Sequence, residues 1–201
     1  RMLLLQKVIS EGSLSLVLLT AKYHDLSIAC ADAEEREKYR LLLEIMTPVV
    51  KTYPSEMGKI AVDNGVQVLG GYGFCSDYIL QQYLRDIRIS AIYEGTTGIQ
   101  SQDLLGRKVT MDNGKALQLL SEEMLSSIKA CMAVESLAPY AQKLGGKIEL
   151  TQQVLASLMG FAMKGDYQRF LADATPFMEF FSNILMGWIW LDMAREAQNA
   201  L

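Results

Sequence analysis

Ile92-Tyr93-Glu94-Gly95-Thr96-Thr97-Gly98-Ile99-Gln100 sets a single carboxylate among apolar residues, directly before a glycine and a helix start. Apolar surroundings penalise the charged form of a carboxylate, which suits it to taking up a proton. Gly95 removes a side chain where a ligand could press against the backbone. Thr97 and Gln100 fit the capping-box spacing, a Thr followed three residues later by a Gln. A helix starting there points free N–H groups and a positive dipole end outward, which suits a phosphate. A base, a bare backbone and an anion site thus fall within about one helical turn. The plainer alternative is an ordinary capped helix preceded by a solvated glutamate.

Outward from this stretch the apolar pattern is helical. Leu5, Val8, Ile9, Leu16, Leu19, Tyr23 and Leu26 recur at helical spacing over residues 2–30. Asp32 to Lys38 is densely charged and reads as a solvated turn and helix start. Leu42, Ile45, Val49, Tyr53, Met57, Ile60 and Val68 continue the helical period to about Leu69, with Pro48 and Pro54 as possible kinks or starts. Gly70-Gly71-Tyr72-Gly73 breaks it. A further helix runs from about Asp77 to Ser90, with Ile79, Leu80, Tyr83, Leu84 and Ile87 turned inward, and the helix after Glu94 continues toward Lys108. Met111 to Gly114 has turn chemistry and places a boundary there. Beyond it Lys115–Lys143, a Gly145-Gly146 break, Glu149–Lys164 and Asp166 to the end are each helical in period. Met178, Phe181, Leu185, Trp188 and Leu191 make one apolar face of the last segment, and its run from Ile184 to Leu191 is well short of a membrane span.

The bulk composition agrees with a helical globular protein. The chain has 201 residues, half of them apolar, with four prolines and 11 methionines. A net charge of −4 gives no footing for nucleic acid or an anionic membrane. Cys30, Cys75 and Cys131 lie far apart, and His24 is the sole histidine, so no metal site is expected. The cysteines read as small buried hydrophobes, reduced in a cytoplasmic compartment. The chain opens Arg-Met-Leu-Leu-Leu, already inside an amphipathic run, which reads as a piece of a longer polypeptide.

Two more motifs carry chemical content. Gln67-Val68-Leu69-Gly70-Gly71-Tyr72-Gly73-Phe74 allows close backbone approach of a cofactor, although a glycine-rich helix stop explains it more simply. It follows a helix rather than a strand, so it is no dinucleotide fingerprint. Arg85-Asp86-Ile87-Arg88 places arginines near a helix end, where they complement the dipole or serve as surface charge.

In this order and spacing, Gln-x-x-Gly-Gly-x-Gly-Phe, then Arg-Asp, then Ile-Tyr-Glu-Gly-Thr resembles the acyl-CoA dehydrogenase family, most closely over residues 55–108. The resemblance implies an all-α fold: an antiparallel helical bundle over residues 1–110, like that family's C-terminal domain. Residues 111–201 would be the additional, smaller helical domain of its longer bacterial-type members. It also implies oxidation of an acyl-CoA thioester to the trans-2-enoyl-CoA, as in fatty acid β-oxidation. A carboxylate takes the α proton while the β hydride passes to FAD. By motif position Glu94 is that carboxylate. Gly95 would lie against the thioester, Tyr93 would line the acyl pocket, and the Glu94 backbone N–H would polarise the thioester carbonyl. Thr96, Thr97 and Gly98 would meet FAD near its diphosphate and adenosine. Gln67, Val68, Leu69, Gly70 and Gly71 would contact the FAD of a neighbouring subunit. Arg85 and Asp86 would hold the preceding helix in register.

Gly98 departs from the Gln common in the family at its position, which removes a side-chain contact to the adenine portion. The resemblance further implies a homodimer or homotetramer, and an electron-transfer flavoprotein as electron acceptor. An isolated piece of this kind is expected to be inactive and to bind no flavin tightly. An acyl-CoA oxidase relative and a non-catalytic helical oligomerisation module are the alternative readings.

Overall fold

The computed structural model describes residues 1–200 and contains no strand among them. Helix α1 spans Met2–Ala29 and α2 spans Ala33–Leu69. Asp32 caps α2 by accepting from the Glu34 N–H at 3.1 Å, and Glu34 and Glu35 in the first turn face the positive dipole end. The charged stretch is therefore a helix start, as its composition indicated. Pro48 and Pro54 each remove a helix donor, yet α2 continues through both.

A four-residue turn, α3 (Gly71–Phe74), leads to α4 (Leu80–Ser90), which packs on α2. Leu80 lies against Gly65 and Ile87 against Gly58, where a Cβ would stand 2.5 Å from the Ile87 Cδ1. Ile79 and Tyr83, expected inward, are exposed instead. The helical period is right there, but among the described residues it is the Leu80 and Ile87 side that packs, on Gly65 and Gly58 of α2. Helix α5 spans Thr97–Gly106, and a 3-10 turn, Lys108–Thr110, follows it.

Helix α6 (Met111–Met132) starts through Asp112, Asn113 and Gly114, all with positive φ. Then come α7 (Ala138–Ala162), α8 (Tyr167–Ala172) and α9 (Ala174–Asn199). The break expected at Gly145-Gly146 is absent: both glycines lie inside α7, with open space where a Cβ would be. The real break falls at residues 133–137, just before Pro139 in the first turn of α7. Ala141, Leu144, Ile148, Thr151 and Leu155 form the buried stripe that carries α7 past the glycine pair.

Helix α9 is the hub. Phe177, Met178, Phe181, Leu185, Trp188 and Leu191 are all buried, as their spacing indicated, and α9 touches α1, α2, α5, α6 and α7. Each such side chain contributes roughly 1.5–3 kcal/mol on leaving water. Leu16 and Tyr23 of α1 join the buried apolar side chains of α2 and α5–α9 in one continuous cluster. Where α1 crosses α9, a Cβ at Gly12 would stand 2.5 Å from the Met186 Cε, so the glycine permits the close approach. By length and composition α1 could cross a membrane, and much of it is exposed in this structure. Of the cysteines only Cys131 is buried, against the expectation for all three. Cys30 and Cys75 sit near helix ends, where less chain packs over them.

Candidate active site

The turn between α4 and α5 carries Glu94, and its backbone is the unusual feature. Glu94 has φ +54 and Gly95 φ +94, two successive residues in left-handed conformation. For Glu94 that conformation is unfavourable by roughly 1–2 kcal/mol. Gly95 is required rather than tolerated: its φ is beyond the left-handed well of an L residue. A Cβ on Gly95 would also stand 2.6 Å from the Gln100 Nε2.

Three ties hold this turn. The Lys51 ammonium, from the middle of α2, donates to the Ser90 carbonyl at 2.8 Å and to the Gly95 carbonyl at 2.6 Å. The Gln100 side-chain amide reaches back and donates to the Glu94 carbonyl at 3.2 Å. The Thr97 hydroxyl donates to the Glu56 carboxylate, also on α2. Glu56 in turn pairs with Lys59 at 2.5 Å. Burial pushes the Glu56 carboxyl up. The Lys59 and Thr97 hydrogen bonds, with the charges of Lys59 and Arg88, outweigh it and hold Glu56 below its ordinary value.

The cap differs from the sequence expectation by one residue. Thr96, not Thr97, is the N-cap, with extended backbone and its hydroxyl accepting from the Ile99 N–H at 3.4 Å. Thr97 is the first helical residue, and its hydroxyl is drawn to α2. Gln100 does reach back over the start of the helix, but to a carbonyl rather than to the cap's N–H. The first backbone N–H groups of α5, at Thr97 and Gly98, lie beyond the reach of intrahelical acceptors.

The expected apolar enclosure of Glu94 is not provided by this chain. Its side chain is exposed, as are Ile92 and Tyr93 at 45% and 51%. Glu94 lines none of the principal cavities. A cleft of about 610 Å³ nearby is lined by Thr52, Glu56, Lys59 and Thr97 with residues of α9. The apolar neighbours in sequence cannot enclose the carboxylate because the turn projects them to solvent along with it.

The glycine loop lies elsewhere. Gln67, Val68, Leu69, Gly70 and Gly71 are all exposed at the α2–α3 junction. Gly70 has φ +60, and neither Gly70 nor Gly71 has an atom within 4 Å of a Cβ position. Gly98 is nearly as open, with only the Thr96 Oγ1 at 4.0 Å. α3 contacts α2 and α4 and makes no contact with α5. The structure thus brings together Glu94, Gly95, Thr96, Thr97 and Gly98, and leaves Gln67–Gly71 as a separate surface. Asp86 accepts only from Gln82 on its own helix, at 2.7 Å, so the register role expected of Arg85 and Asp86 has no bond to support it among the described residues. Lys51 and Glu56 carry the turn instead. In sequence they are merely two charged residues among several on α2, and both are half-buried.

The site is thus a carboxylate displayed on a strained turn at a helix start of an all-helical bundle. Residues 14–109 match the family described as "Acyl-CoA dehydrogenase, C-terminal domain". Residues 123–201 match "Acetyl-CoA dehydrogenase C-terminal like". The chain is 31% identical over 210 residues to the broad-specificity linear acyl-CoA dehydrogenase FadE5 of Mycobacterium tuberculosis, across 100% of this chain and 34% of that protein. It is 32% identical over 191 residues to the 3-methylmercaptopropionyl-CoA dehydrogenase of Ruegeria pomeroyi, across 94% of this chain and 32% of that protein. A butyryl-CoA dehydrogenase of Syntrophomonas wolfei is 42% identical over 118 residues, 59% of this chain and 19% of that one. The crystal structure of Caenorhabditis elegans ACDH-11 in complex with C11-CoA superposes with a TM-score of 0.80. That match covers 94% of this chain and 31% of that one at 24% identity, which establishes the fold. The chain belongs to the acyl-CoA dehydrogenase family, to its C-terminal helical region. It spans about a third of the length of the relatives it matches nearly end to end.

Proposed function

We propose that this chain is the C-terminal portion of an FAD-dependent acyl-CoA dehydrogenase, with Glu94 as the base that removes the α proton of an acyl-CoA. The observation that carries the reading is the left-handed Glu94–Gly95 pair, whose carbonyls are held by Gln100 and Lys51 although the Glu94 side chain is exposed and makes no hydrogen bond or ion pair among the described residues. Strain kept in place around an exposed, unpartnered carboxylate points to a role outside the fold. Tyr93 and Gly95 flank the carboxylate, where Tyr93 would line the acyl pocket and Gly95 would admit the thioester. The relative bound to C11-CoA supports this class of substrate.

The residues assigned to FAD suit such a group. Gly70, Gly71 and Gly98 present bare backbone with open space at each Cβ position. The Thr97 and Gly98 N–H groups at the start of α5 suit a diphosphate. Val68 and Leu69, exposed beside Gly70, would cover an apolar part. When bound, FAD supplies the acceptor for the β hydride. The Glu94 carboxylate takes the α proton and becomes the acid. The Glu94 N–H donates to the thioester carbonyl, where enolate charge develops. Residues 1–110 carry the site, and residues 111–201 buttress it through α9.

The test is Glu94→Gln in the holoenzyme, mixed anaerobically with acyl-CoA. Flavin bleaching should slow by about 10³-fold or more with FAD content unchanged. Wild-type bleaching would remove Glu94 from the role. The exposure of Glu94 favours a second reading, a helical oligomerisation module that keeps the motif without the chemistry, and unchanged turnover would support it.

A further inference from the structure

We propose that Lys51 and Glu56 of α2 are positioning residues that hold the Glu94 turn in its strained, chemistry-ready shape, an inference that rests on Glu94 being the base. The turn has little else to fix it. Ile92, Tyr93 and Glu94 are exposed, and Ala91 is the one residue from 91 to 94 that is buried. Packing therefore does not select the positive φ of Glu94.

The Lys51 ammonium does select it. It bridges the Ser90 carbonyl, where α4 ends, and the Gly95 carbonyl, directly after Glu94. One cation thus fixes the two ends of the segment that contains the base. Both bonds are charge-assisted, and such bonds are roughly twice as strong as neutral ones. Glu56 supplies the second tie. It accepts from the Thr97 hydroxyl and so pins the start of α5 to the same helix. Lys59 and Arg88 keep Glu56 ionised and able to accept. The two residues lie on either side of Pro54, so one stretch of α2 aligns the turn at both ends.

Neither residue touches the reacting atoms under this scheme. Their loss should misplace the base without removing it, and a displacement of about 1 Å can cost on the order of 10²-fold in rate. The experiment compares Lys51→Met, Lys51→Arg, Glu56→Met and Glu94→Gln in the holoenzyme. It measures the rate of flavin bleaching with protiated and α-deuterated acyl-CoA, the acyl-CoA dissociation constant and the FAD content. It also follows amide hydrogen exchange of residues 91–97.

Lys51→Met should slow bleaching by about 10–100-fold, keep the dissociation constant within twofold, raise the deuterium isotope effect and speed exchange in 91–97. Lys51→Arg should recover most of the rate. A Lys51→Met rate within twofold of wild type, or a rate loss that only tracks lost acyl-CoA binding, would overturn the proposal. Should Lys51→Met lose its fold or flavin, Glu56→Met, which removes the acceptor for the Thr97 hydroxyl, decides alone: slowed bleaching supports the clamp, and a wild-type rate refutes it. A wild-type rate in Glu94→Gln would instead refute the base, and faster exchange in Lys51→Met would still report the clamp. An inert Glu94→Gln beside a wild-type Lys51→Met would refute the clamp alone.

Discussion

If the left-handed backbone at Glu94 exists for chemistry rather than for folding, removing the side chain's Cβ should stabilise the protein. Glu94 sits at φ +54 with an exposed side chain that makes no hydrogen bond or ion pair among the described residues. An L residue there gives up roughly 1–2 kcal/mol relative to a residue free of that penalty. Glycine escapes the penalty but adds roughly 0.5–1 kcal/mol of unfolded-state entropy. The balance for Glu94→Gly is a gain of about 0–1.5 kcal/mol, centred near 0.75, by those two magnitudes. Glu94→Ala keeps the Cβ and the strain and should lie near wild type. Glu94→Asn should fall between, because asparagine enters the left-handed region more readily than most L residues. For a domain near 200 residues each kcal/mol moves Tm by about 2–4 °C. Urea midpoints and thermal melts of the three variants give the order Gly above Asn above Ala. If Glu94→Ala were as stable as Glu94→Gly, the strain would not be real. If both fell well below wild type, Glu94 would be holding the fold together, and its conformation would need no functional explanation.

Two further outcomes follow from the charged pairs around α2. Lys108 is 3% exposed and is paired with Glu44, with Asp103 a second carboxylate at 4.0 Å. Glu44→Gln leaves a buried ammonium with only the distant partner and should cost about 2–3 kcal/mol, short of the full penalty for stranding a buried charge because Asp103 remains. Lys108→Met should cost less than about 1 kcal/mol, since an apolar isostere removes the buried charge altogether. Equal losses in urea unfolding would contradict that asymmetry. Glu56 is held below the ordinary carboxylate value in the fold. Its contribution is therefore complete above that ordinary value and fades as pH falls through the lower folded value. Stability measured from pH 6 down to about pH 3 should drop less steeply in Glu56→Gln than in wild type. An unchanged acid limb would mean that Glu56 is not paired as described.

What could be read from sequence divides along physical lines. The α9 seam was legible because its apolar side chains recur at helical steps and find partners on several sides. Asp32 ahead of a charged run was legible as a helix start because capping is local. Gly145-Gly146 misled because a glycine pair weakens a helix only by its own propensity. Here the Ala141–Leu144–Ile148 stripe, packed on its neighbours, more than offsets that. Ile79 and Tyr83 had the right period, but periodicity says which residues share a face and not whether anything covers it. The two adjacent threonines illustrate a finer limit. Either could cap α5, and the choice of Thr96 follows from Glu56 drawing Thr97 to α2, a contact between residues far apart in sequence. Lys51 was invisible for the same reason. Its bonds go to backbone carbonyls, which have no sequence signature at all.

The two surfaces assigned to the cofactor do not meet within this chain, and that separation bears on assembly. Gln67–Gly71 belongs to the α2–α3 junction, while Thr96–Gly98 opens α5, and α3 and α5 make no contact. On the reading proposed above, the α5 start serves the flavin facing Glu94, and the glycine turn is left for the flavin of another subunit. On the same reading, another subunit would cover Val68, Leu69, Tyr72 and Phe74, which are exposed around the glycine turn. Substitutions there, such as Leu69→Ser, should lower FAD retention and subunit association together in the holoenzyme, with little effect on the chain's own stability. Loss of flavin from a fully assembled oligomer would separate the two roles and refute their coupling.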